Sequence, residues 1–139
     1  MIRKSFGFTL IELLVVIAII GILATVVLGA LNDARDQGME AKIKSEMDSV
    51  AKLAAIEESK SFTYDTVCGS NGFSTSTKFL ELFASINQYA SSSVTCNSAA
   101  NSFAVSVPLG TTHWCVDAIG TKKSIPAPLD TSPAELLCP

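Results

Sequence analysis

The sequence is poor in charge. Only 17% of its 139 residues are Asp, Glu, Lys or Arg, against about a quarter in an average soluble domain. With 48% apolar residues it is still no disordered chain. It lacks a basic excess: ten Lys and Arg stand against 13 Asp and Glu, a net charge of −3. That balance argues against nucleic acid as a partner. It has a single histidine, His113, and no C-x-x-C pair, so the usual sequence form of a zinc site is missing. There is no G-x-S-x-G, no H-E-x-x-H and no phosphate-cradling glycine loop. One histidine and scattered carboxylates make no acid–base pair, so neither catalysis nor a cofactor is expected. Internal repeats and N-x-S/T sequons are also lacking. The length suits one domain with an appended segment.

What the chain does have is unevenly spread. Leu13 to Leu31 is a run of 19 residues without a charge, within the roughly 17–25 residues of a transmembrane helix. Arg3 and Lys4 precede it, and positive charge there keeps that end in the cytoplasm. Residues beyond about 32 are then outside. An ordinary secretory signal peptide cut near Leu28-Gly29-Ala30 is the competing parse. Against it, the run exceeds the about 7–15 apolar residues of such signals and would contain Glu12.

From Asn32 to Lys60 the composition changes: 12 of the 29 residues are charged, with mixed signs and no proline. Met39, Ile43, Met47, Val50 and Ala54 form one helical stripe. Glu40–Lys44 and Asp48–Lys52 have the spacing of acid-first i,i+4 pairs. The pattern predicts one helix from Thr9 to Ser59, half in lipid and half amphipathic, with Gly21, Gly29 and Gly38 as weak points.

Beyond Ser61 the chain is rich in Ser, Thr, Asn and Gly. Turn residues cluster at Cys68–Thr77. A helix is expected over Ser76–Ala90, with Phe79, Leu82, Phe83, Ile86 and Tyr89 on one face. Alternation predicts half-buried strands at Phe103–Val107 and Trp114–Ala118, with turns at Leu109–Thr112 and Gly120–Lys123. Ser124–Leu129 is an edge strand weakened by Pro126 and Pro128. The expected fold class is α+β: a long N-terminal helix packed on a small antiparallel sheet, its apolar stripe covering the sheet.

Several residues invite a chemical reading. Glu12 is an ionisable group opening an apolar run. Such a group is costly there and needs a partner, yet no Lys or Arg lies within a turn or two on its C-terminal side. The partner is therefore expected from elsewhere. Beside Cys115, alternation should bury one of His113 and Trp114 and expose the other. Lys122 and Lys123 read as a solvated turn. Asp117, Asp130 and Glu135 match no calcium-loop spacing, so no metal is assigned. The four cysteines, Cys68, Cys96, Cys115 and Cys138, all fall after residue 60, on the non-cytoplasmic side, where two disulfides are natural. Three pairings are open to the sequence; Cys68–Cys96 with Cys115–Cys138 is the expected one.

The string KSFGFTLIELLVVIAIIGILA, Lys4 to Ala24, resembles the prepilin signal of type IV pilins and of type II secretion pseudopilins. The family pattern is a short basic leader, Gly, Phe, three mostly apolar residues, Glu and an apolar helix. The resemblance implies the type IV pilin fold and cleavage after Gly7 by a membrane prepilin peptidase that also N-methylates Phe8. It divides the chain into a leader (1–7), a transmembrane and filament-core helix (8–31), an amphipathic half-helix (32–60) and a disulfide-stapled head (61–139). A C-terminal tail clasped by Cys115–Cys138 resembles the D-region loop of pilins.

By the same resemblance, Glu12 would pair with the Phe8 amine of a neighbour and set the register of a helical homopolymer. The precursor would sit as a single-pass protein in the inner-membrane lipid, meet the pilus assembly platform and end in a surface pilus. Adhesion, twitching motility or DNA uptake are the roles such filaments serve. A type II secretion pseudopilin and a minor or competence pilin are the alternatives.

Overall fold

The computed structural model describes residues 7–139; Arg3, Lys4 and the rest of positions 1–6 lie outside the described residues. These residues fall into two units, divided after Gly38. The helix α1, Leu10–Ser61, begins in the first and ends in the second. It passes through Gly21, Gly29 and Gly38 without a break, and a Cβ at any of the three would meet open space.

In the first unit every described side chain is exposed, including the whole apolar run from Leu13 to Leu31. The helix is long and apolar enough to cross a membrane. A helix apolar all round has no preferred face of its own, so it needs an apolar surrounding: lipid or other helices.

The second unit carries α2 (Asp65–Cys68), α3 (Thr77–Tyr89) and four strands: β1 (Thr95–Ala99), β2 (Ser102–Leu109), β3 (Thr112–Asp117) and β4 (Lys122–Ile125). The strands form one antiparallel sheet in the order β1-β2-β3-β4. The Met39–Ser61 part of α1 packs on this sheet, so the fold is a helix on an antiparallel sheet, the α+β class expected. Ile43, Met47, Val50 and Ala54 are buried together with Phe103, Val105, Val107 and Val116 from the sheet and Phe79 and Ile86 from α3. The four helical residues are those of the expected stripe. Met39, the first residue of the stripe, is only half-buried.

β2 departs from the half-buried strand expected. Phe103 to Leu109 are all buried, because both faces of the strand are covered. Phe103, Val105 and Val107 face α1, while Ala104 joins a second small core with Cys115, Ile125 and Leu129, against which Cys138 packs. The C-terminal tail supplies this second cover. Asn97 Nδ2 donates to the carbonyls of Asp130 and Glu135, Ser102 Oγ donates to that of Leu136, and Leu129 N donates to the buried Ser106 Oγ.

Other boundaries also shift. β4 takes Lys122 and Lys123, which read as a turn, and stops at Ile125 rather than Leu129. Pro126 and Pro128 have no N–H to extend the ladder. β1 and α2 have no counterpart in the sequence reading. The β2–β3 hairpin turns through Gly110 and Thr111, with Gly110 at φ +62°, a conformation glycine adopts at no steric cost.

α1 ends in an unusual way. Phe62 follows it at φ +58°, with its N–H donating to the Glu58 carbonyl at 2.7 Å. Glycine is the usual residue there, and a bulky side chain in this region costs on the order of 1–2 kcal/mol. Neighbouring bonds hold the turn. Ser61 Oγ donates to the carbonyls of Glu57 and Thr63, and Thr63 Oγ1 donates to Asp65 Oδ2.

Candidate functional site: the helix start and its carboxylate

Gly7, Phe8 and Thr9 precede the first helical residue, Leu10. The helix begins there because Thr9 and Glu12 form a capping box. Thr9 N and Thr9 Oγ1 both donate to Glu12 Oε2, at 2.9 and 2.7 Å, and Glu12 N donates to Thr9 Oγ1 at 3.3 Å. The box gives Glu12 local neutral donors that the sequence reading did not name, and it leaves open the expectation of a charged partner from elsewhere. The signal, T-x-x-E ahead of an apolar run, was present in the sequence at Thr9-Leu10-Ile11-Glu12.

The box leaves the site incomplete. It occupies Oε2 with neutral donors, and among the described residues Oε1 has no partner and the carboxylate no cation. Phe8, Ile11, Val15 and Val16 surround Glu12 with an open apolar surface. A carboxylate in such a setting, once removed from water, calls for a positive charge.

The cysteines meet in pairs. Cys68, the last residue of α2, is bonded to Cys96 on β1 with a Cα–Cα distance of 5.6 Å. Cys115 on β3 is bonded to Cys138 in the tail at 5.8 Å. Each bridge has a buried carboxylate beside it. Asp65, 3% exposed, accepts from Ser70, Thr63 and Asn71 side chains at 2.7, 2.7 and 2.9 Å. These donors, Ser70 first, hold its carboxyl below the usual range against the opposing effect of burial. Asp117, 2% exposed, accepts from the backbone N–H groups of Ile119 and Thr121 on Oδ1 and of Cys138 on Oδ2.

The remaining candidates are structural in this arrangement. Asp117 spends its oxygens on amides, and Glu135 Oε2 accepts from Asp130 N. His113 and Trp114 are both half-buried, not one in and one out. Trp114 lies under Lys44 Nζ at 5.1 Å from its ring centre, and His113 pairs with Ile125 across the sheet. Lys122, still exposed, lies in β4 and not in a turn, and its Nζ reaches Asp48 Oδ1 at 2.9 Å. That pair replaces the expected Asp48–Lys52 contact, while Glu40–Lys44 is present at 3.7 Å.

The family model of the prokaryotic N-terminal methylation motif matches residues 2–28. No curated protein and no solved structure matches the chain. The match takes in the Gly7–Phe8 bond, the capping box and most of the apolar run. Residues 2–28 carry the prepilin-type signal of the type IV pilin and pseudopilin superfamily, the mark of a substrate for prepilin peptidase.

Proposed function

We propose that this protein is a structural subunit of a type IV pilus. Prepilin peptidase cuts after Gly7 and N-methylates Phe8. The subunit waits in the inner membrane as a single-pass protein and is then moved by the assembly platform into a helical homopolymer on the cell surface.

One observation carries this reading: a prepilin-type signal on a helix whose apolar run from Leu13 to Leu31 is exposed throughout and whose opening carboxylate, Glu12, has no cation among the described residues. Lipid satisfies the apolar surface in the precursor, and neighbouring helices satisfy it in the filament. Cleavage creates an ammonium on Phe8. Glu12 Oε1 of an adjacent subunit, without a partner among the described residues, can accept it, and a charge pair in apolar surroundings is favourable only when both members are matched. The contact thus selects one axial register. The head, 61–139, with its two disulfides, coats the outside.

The experiment is to shear filaments from the cell surface and take the intact mass of their main subunit. The expected species is Phe8–Pro139, one methyl heavier and four hydrogens lighter than the free reduced chain. The same mass confined to the cell envelope would identify a type II secretion pseudopilin or a minor pilin instead. A chain beginning near Leu31 would overturn the filament reading.

A further inference from the structure

Phe62 is held where few phenylalanines are. Its backbone is left-handed, its ring is 84% exposed, and the turn around it is fixed by side-chain and main-chain hydrogen bonds. A residue kept both in that conformation and in solvent is unfavourable on two counts, so a use for the exposed ring is the natural explanation.

Elsewhere on the same unit lies a groove of about 280 Å³. Its walls are Ala51 and Ala55 on α1, the rings of Tyr64 and Phe103, and Ala118. Lys52, Lys122 and Asp117 also line it, Asp117 with both carboxylate oxygens already taken by backbone amides. Lys122 is neutralised by Asp48, but Lys52 belongs to no ion pair among the described residues. One helical turn before Phe62, Glu58 likewise has no ion pair among the described residues. Ala55 and Phe62 are seven positions apart, on the order of 10 Å along the helix axis.

We infer that the occupant of this groove is a second copy of the chain: Phe62 of one subunit enters the Ala51–Ala55–Tyr64 groove of the next, and Glu58 of the first pairs with Lys52 of the second. The inference rests on the filament reading above and gives it a second contact, in the head. The choice of occupant follows from complementarity on one surface. The groove is small-walled and aromatic, the knob is a single ring, and each carries the unpaired charge the other lacks. Phe62 and the groove are different elements of that surface, so insertion of one into the other is a heterologous contact, the kind that can propagate along a filament.

The discriminating variant is Phe62→Gly. Glycine suits φ +58°, so detergent-solubilised full-length chain should keep or raise its thermal midpoint. Sheared filament should nevertheless fall by about tenfold, the loss expected for a buried aromatic anchor. A residue of purely structural importance would move both readouts the same way. Lys52→Glu and Glu58→Lys should each lower filament yield, and the double exchange should restore it. A photo-crosslinking phenylalanine analogue at position 62 should join residues 51–55 or 64 of another subunit.

Normal filament yield from Phe62→Gly, no rescue by the charge exchange, or crosslinks elsewhere in intact filaments would overturn this contact and leave the filament reading standing. Absence of the wild-type chain from any filament would overturn both.

Discussion

The backbone N–H of Cys138, whose sulfur is bonded to Cys115 of β3, donates to Asp117 Oδ2 at 3.0 Å. The tail is therefore fastened twice at one place, covalently through Cys115 and electrostatically through Asp117. Asp117 also closes the loop to β4 through Ile119 and Thr121. Replacing it by alanine leaves three amides without their acceptor. Asp117→Ala should lower stability by about 2–3 kcal/mol, because hydrogen bonds to a charged group are strong and buried orphan amides are costly. The midpoint of urea unfolding checks this.

The Cys115–Cys138 bridge closes a span of 23 residues and Cys68–Cys96 one of 28. Cross-links of this span restrict the unfolded chain by about 3–4 kcal/mol each. The double variant Cys115→Ser with Cys138→Ser should lose roughly that amount and become sensitive to protease after Ile125. Limited proteolysis with mass detection reads the site of cutting.

Asp65 makes stability depend on acid. Its folded carboxyl lies below the ordinary aspartate range through Ser70, Thr63 and Asn71. The unfolded chain binds the proton more readily, so the contribution is present above the ordinary value of about 4 and is lost as pH falls through the lower folded value. Asp65→Asn should flatten the fall in thermal midpoint below about pH 4 and be less stable than wild type at pH 7.

Met47 is fully buried between α1 and the sheet. Met47→Ala should cost about 2–5 kcal/mol by leaving a cavity. Ser45, exposed on the opposite side, is the control: Ser45→Ala should change stability by less than about 0.5 kcal/mol.

At the helix start the two members of the capping box should separate. Thr9→Ala removes the cap, worth about 1 kcal/mol, and leaves the carboxylate. Glu12→Ala removes the carboxylate and keeps the bond from the backbone N–H of residue 12 to Thr9 Oγ1. Filament yield should fall with Thr9→Ala and vanish with Glu12→Ala, while leader removal, read by mass, proceeds in both.

The parts of this fold that were legible in the sequence are those with a period. Ile43, Met47, Val50 and Ala54 announce a helical face, and Phe103, Val105 and Val107 announce a strand, because a single cover was enough to bury each set. β1 was illegible because its sequence, Thr95-Cys96-Asn97-Ser98-Ala99, has no apolar alternation. Asn97 is buried only because the tail brings two carbonyls to its amide. The full burial of β2 likewise depends on residues more than 20 positions away. At the functional end, Gly7, Phe8 and Glu12 stood out as a string, but Thr9 did not. Its role is carried by the T-x-x-E spacing of Thr9 and Glu12, and the structure shows the carboxylate turned back on the helix start.

Thr9 and Glu12 both lie on the C-terminal side of the Gly7–Phe8 bond. Removing the leader as proposed would therefore leave the cap intact, and precursor and mature chain would begin their helix at the same residue. Maturation then changes only what precedes the helix, a shorter end with a new positive charge, and asks for no refolding of the part that enters the filament. On the proposed reading, a stored subunit would need no change in its helix to become a usable one.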